Sequence, residues 1–148
     1  GNHAVKKTLL TQSLAIQERE FGRDHRNTSG TLTDLGVALA DLGETEEAVT
    51  TLQRSLHCKQ DAPEHEIAET LTGLGQALVA AGDAAKAKEM LSRAVSIKEA
   101  WFGRTHVEVA SSLVQLASAC GALGDKARKR MLLERALRLQ VRGFGRNS

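Results

Sequence analysis

Leu32-Thr33-Asp34-Leu35-Gly36-Val37-Ala38-Leu39-Ala40-Asp41-Leu42-Gly43 decides the fold, because the chain writes it more than once. Leu71-Thr-Gly-Leu74-Gly75-x-x-Leu78-x-x-x-Gly82 follows 39 residues later, and Leu113-Val-Gln-Leu116-Ala117-x-x-Cys120-x-x-x-Gly124 a further 42 residues on. Apolar residues at i, i+3 and i+7, with a small residue at i+4, form the stripe of an amphipathic helix. The closing Gly is the residue expected just past a helix end, where the left-handed conformation strains any side chain. A period of this length predicts an array of stacked units rather than one closed core.

Downstream of each copy stands a second repeated helix: Ala48-x-x-x-Leu52-x-x-Ser55-Leu56, Ala87-x-x-x-Leu91-x-x-Ala94-Val95 and Lys129-x-x-x-Leu133-x-x-Ala136-Leu137. From first leucine to last apolar residue the distance is 24 in all three, whereas the segment before each copy varies in length. Loops tolerate deletions that packed helices do not, so each unit is a helical hairpin, helix A then helix B. Upstream, Leu10-x-x-Ser13-Leu14-x-Ile16 matches the end of helix B and predicts an orphan helix B. Phe-Gly-Arg ends helix B at 21–23, 102–104 and 144–146, with a degenerate form at Gln60-Asp61-Ala62-Pro63. Gly22, Gly103 and Gly145 are expected to turn the backbone into the next unit, with Phe closing the joint.

The predicted organisation is a single domain. It has an orphan helix at 4–25, three hairpins at 26–62, 63–103 and 104–143, and an incomplete unit at 144–148. Seven helices are expected, near 4–21, 27–42, 45–59, 64–81, 84–102, 106–123 and 126–142. The chain lacks an initial Met and stops within a unit, which reads as a fragment.

Composition agrees with an all-α fold: 41% of the 148 residues are hydrophobic, mostly Ala and Leu, and only 3% are aromatic. No apolar run is long enough to span a bilayer, so no membrane association is expected. Two cysteines, Cys58 and Cys120, match no metal or redox spacing and read as reduced thiols in a cytoplasmic protein. Net charge is +2 overall, but residues 1–82 carry −5 and residues 83–148 carry +7.

A hairpin with large-x-x-Leu-Gly/Ala-x-x-large, Gly, then Ala-x-x-x-large-x-x-Ala resembles the tetratricopeptide repeat (TPR). Leu32, Leu35, Gly36, Leu39, Gly43, Ala48, Leu52 and Ser55 stand at its motif positions, as do Leu71, Leu74, Gly75, Leu78, Gly82, Ala87, Leu91 and Ala94. The junction Ile97-Lys-Glu-x-x-Phe102-Gly103-x-x-His106-x-x-Val109-Ala110 is similar to the long-repeat subgroup of kinesin light chains. The chain departs from that subgroup in carrying Arg26, Glu66 and Val107 where Pro is common after the junction His, and Lys129 where helix B opens with a small residue.

The resemblance implies a right-handed superhelix whose A helices line a concave groove. Its groove positions fall on Gly30, Thr33, Val37 and Ala40, on Glu69, Thr72, Gln76 and Val79, and on Ser111, Val114, Ser118 and Gly121. No Lys, Arg or Asn stands at those positions, which disfavours capture of acidic C-terminal tails. The expected activity is therefore non-catalytic binding of a partner's peptide, as an adaptor or scaffold. The residues expected to carry it are Thr33, Val37, Ala40, Thr72, Gln76, Val79, Val114 and Ser118.

The remaining chemistry reads as structural. His25, His65 and His106 recur once per unit and cannot converge on one metal; they are expected to hydrogen-bond nearby backbone. The basic run Lys126 to Arg130, with Arg135, Arg138, Arg142 and Arg146, lacks interleaved aromatics and reads as a solvated helix face rather than a nucleic-acid surface. No nucleophile with base and orienting group stands out, and no cofactor is expected. A second reading is a structural or self-associating solenoid, its acidic start and basic end stacking head to tail.

Overall fold

The computed structural model describes residues 2–146. Seven α-helices follow one another: α1 (Asn2–Phe21), α2 (Ser29–Asp41), α3 (Thr45–Cys58), α4 (Glu64–Ala80), α5 (Ala84–Phe102), α6 (Glu108–Ala122) and α7 (Lys126–Arg146). A short 3-10 turn, Arg26–Thr28, precedes α2. Helices α2/α3, α4/α5 and α6/α7 pair as hairpins, α1 packs on α2 as the unpaired leading helix, and no strand occurs among the described residues.

Each A helix ends in the same way. Gly43, Gly82 and Gly124 adopt φ of 79°, 89° and 87°. The next amide then reaches back five residues, Glu44 to the Leu39 carbonyl, Asp83 to that of Leu78 and Asp125 to that of Cys120, each at 2.9 Å. This pairing satisfies carbonyls that the helix end would otherwise leave bare. Asp83 and Asp125 then cap the next helix through the Lys86 and Arg128 amides, at 3.2 and 3.1 Å. Glu44 makes no such cap and instead takes Lys7 Nζ at 2.7 Å, holding that ammonium above its ordinary pKa.

Inside a hairpin the small residue of the motif admits a leucine. A Cβ on Gly36 would stand 2.4 Å from Leu52 Cγ, and one on Gly75 2.3 Å from Leu91 Cγ. Both leucines are fully buried, each contributing about 2 kcal/mol of hydrophobic stabilisation. The third copy differs: Ala117 fills that space and Leu133 is 38% exposed. Lys129, in place of the fully buried Ala48 and Ala87, lays its stem over Gly121, where a Cβ would lie 2.7 Å from Lys129 Cδ.

Gly22 and Gly103 turn the backbone at φ of 88° and 94°, as the Phe-Gly-Arg reading expects. At the third copy that expectation fails. Helix α7 runs through Phe144 and Gly145 to Arg146 instead of ending at 142, so no turn forms there. Of the expected incomplete unit at 144–148, residues 147 and 148 lie outside the described residues. Helical hydrogen bonding continues because neither Gly143 nor Gly145 forbids it, and glycine only permits a turn.

Candidate functional site

The A helices lie side by side, α4 against both α2 and α6. Of the predicted groove residues, Gln76, Val114 and Ser118 are exposed, and Val37, Ala40 and Val79 are half-buried. Gly73 lets the rows approach, since a Cβ there would sit 3.3 Å from Val37 Cγ2. Thr33 and Thr72 hold a different post. Thr33 Oγ1 shares hydrogen bonds with Thr70 Oγ1 at 2.9 Å and Ser55 Oγ at 2.7 Å, and Thr72 Oγ1 with Ser112 Oγ at 2.8 Å. These two positions stitch one A helix to the next, and Thr72 is only 8% exposed. Val114, their counterpart in α6, has no hydroxyl to continue the seam.

Two lysines reach the A helices from helix B, where the linear sequence hides them. Lys98 on α5 is 1% exposed, its Nζ 2.6 Å from Glu69 Oε1 and 3.2 Å from Ser111 Oγ. Glu69 and Ser111 stand at predicted groove positions on α4 and α6, so this ion pair ties α5 to the row of A helices. Lys59, at the same place in the preceding repeat, bonds Thr70 Oγ1 at 3.1 Å and the Glu66 carbonyl at 3.3 Å. Burial pushes its pKa below the ordinary value. The signal was present as two lysines 39 residues apart in register, but assignment to helix B concealed where their long side chains end.

The histidines divide. His25 and His106 accept the Asn27 and Glu108 amides on Nδ1, at 3.0 and 3.1 Å, and stack on Phe21 and Phe102. His65 makes no such cap; it lies flat on Trp101, with ring centroids 3.7 Å apart. Among the described residues no group of three or more His, Cys, Asp or Glu is placed to share a metal ion, and no helix is long and apolar enough to cross a membrane. The basic run lies on α7, where Arg138 and Arg142 border an open cavity of about 720 Å³ floored by Leu137, Leu139 and Val141.

Arginines join successive B helices at two joints. Arg54 Nη2 on α3 donates to Glu18 Oε1 of α1 at 2.7 Å and to the Arg23 carbonyl at 2.5 Å. Arg135 Nη2 on α7 likewise donates to Glu99 Oε2 of α5 at 2.8 Å and to the Arg104 carbonyl at 3.1 Å. Between them, Gln60 replaces the glutamate, and Arg93 is left 3.9 Å from Glu64. The Arg of Phe-Gly-Arg thus serves the joint through its backbone carbonyl.

Stacked helical hairpins with their A helices in one row define an α-solenoid, the class of fold that presents extended surfaces to other proteins. The family model described as "Tetratricopeptide repeat" matches residues 6–61 and 66–140, and the chain belongs to that family. Among solved structures it is similar to two crystal structures of nearly identical TPR-like repeats from Podosopora anserina, under the name kinesin light chain. One is of a substituted form, and the TM-scores are 0.75 and 0.72, each at 24% identity. Each match covers 93% of this chain and 66% of the other, so the chain spans just under two thirds of those structures' length. At that identity the likeness establishes the solenoid fold. No curated protein matches the chain.

Proposed function

We propose that this domain is a non-catalytic protein-interaction module that binds a peptide segment of a partner along the A-helix row. The observation that carries the reading is the partly exposed, mostly small-sided strip formed by Val37, Ala40, Gln76, Val79, Val114 and Ser118 on three adjacent helices. Such a strip admits apolar side chains of an extended or helical peptide between the small residues. Thr33 and Thr72 act in it as supports that fix the spacing of the rows. The solenoid shared with repeats named for kinesin light chain supports an adaptor or scaffold role in a larger assembly. The free cysteines Cys58 and Cys120 support an intracellular, cytoplasmic setting.

Peptides selected from a random display library on the wild-type domain provide the test. Val79→Arg, which puts a long cation in the middle of the strip, should weaken the selected peptides at least tenfold while the circular dichroism spectrum is unchanged. Undiminished binding would remove the strip from the interface.

A second reading, a self-associating solenoid, draws on apolar stripes at both ends. Val5, Leu9 and Ile16 are exposed on α1, and Leu137, Val141 and Phe144 on α7. Multi-angle light scattering over a concentration series separates the readings, since a constant monomer mass excludes end-to-end stacking in that range.

A further inference from the structure

Trp101 does not belong to the repeat. It is the single tryptophan of the chain, its counterparts in the other units are Glu20, Ala62 and Gly143, and it is 60% exposed at the end of α5. No core position or joint requires it. Its ring is nonetheless fixed in place, because His65, the one junction histidine that caps nothing, lies parallel to it at 9°. Two adjoining cavities of about 250 and 280 Å³ open beside this pair, and Glu64, Glu69 and Glu108 line them. Glu64 and Glu108 each open a helix, where a carboxylate is favoured anyway. That accounts for the acids but not for an exposed indole held among them. Two cations already stand at the rim: Lys98 is buried and paired with Glu69, and Arg93 lies 3.9 Å from Glu64.

From this geometry we infer that the Trp101–His65 pair and its rim of carboxylates form a docking point for a cationic side chain, arginine or lysine, of a basic partner segment. The exposed face of an indole attracts a cation through its quadrupole, and a guanidinium also stacks on it. Glu108 is exposed, and Glu64, 75% exposed and 3.9 Å from Arg93, keeps room for a second charge on the same segment. Charge complementarity thus selects the occupant: acidic segments are repelled here. Glu64, His65 and Glu69 lie on α4 and Glu108 on α6, so the site shares two A helices with the proposed strip but none of the strip's residues.

Because Trp101 is the only tryptophan, its emission reports this site alone. Titration of the full chain with a hexa-arginine amide at low salt should shift or quench that emission saturably, while a hexa-glutamate amide should leave it unchanged. The double variant Glu64→Gln/Glu108→Gln, both substitutions being at the surface, should weaken the response roughly fivefold or more. Val79→Arg should leave it intact, so the failure of the strip and the failure of this site are read separately. An equal response to both peptides, no response to hexa-arginine, or an unaltered response in the double variant would each overturn the assignment.

Discussion

The first and third joints of this solenoid are clamped, and the middle one is not. At the outer two, an arginine crosses from one B helix to a glutamate on the previous one and to the carbonyl of the Phe-Gly-Arg arginine. At the middle joint Gln60 stands in place of the glutamate, and Asp61-Ala62-Pro63 in place of the phenylalanine turn. What fastens it instead is the seam of Thr33, Thr70 and Lys59 near the A helices. Hairpins of one kind can therefore be assembled with unlike joints: the hairpin interior is dictated by close packing, whereas a joint needs only enough polar pairing to satisfy the helix ends.

The largest expected effect comes from removing a clamp. Arg54→Ala strands the part-buried Glu18 and the Arg23 carbonyl, and should lower stability in urea titrations by about 2 kcal/mol. Arg93→Ala at the middle joint, where the ion pair is long and exposed, should change it by about 0.5 kcal/mol or less. Equal losses would erase the distinction between the joints. Smaller and opposite in sign, Gln60→Glu should give Arg93 the missing partner and stabilise the chain by about 0.5–1 kcal/mol. High salt should diminish that gain, and a neutral or destabilising result would show that the middle joint cannot adopt the clamped arrangement.

The smallest effect concerns Lys59. Burial lowers its folded-state pKa beneath 10.5, so the folded chain gives up this proton at lower pH than the unfolded chain does. Below the folded value the half-buried ammonium is a standing cost, and stability rises as pH climbs from that value towards 10.5. Lys59→Met should remove that rise, seen as a stability difference from wild type that narrows as pH climbs towards 10.5. A difference constant with pH would show that the ammonium is not desolvated in the folded state.

The hairpins were legible in the sequence because leucine spacing records the helix period directly, and Gly36 and Gly75 mark where Leu52 and Leu91 enter. The clamps were present there as two Glu–Arg pairs with the same separation of 36, yet only the geometry of the joint gives that spacing meaning. Along the A helices, counting positions named a row of which Gln76, Val114 and Ser118 are exposed, but not what each side chain does. Thr33 and Thr72 turn their hydroxyls to a neighbouring helix, and Lys98 arrives from a helix that the counting had placed elsewhere. Local pattern encodes which residues face inward; it does not encode which neighbour a long or polar side chain reaches.

The Thr33–Thr70 bond gives the middle joint a mechanical character. With no arginine strap joining its B helices, the second joint is expected to give before the first and third under a bending load. The expected behaviour is that of two arms, α1–α3 and α4–α7, meeting at one elbow, which spin-label distances would show as a broader spread across the second joint than across the first or third.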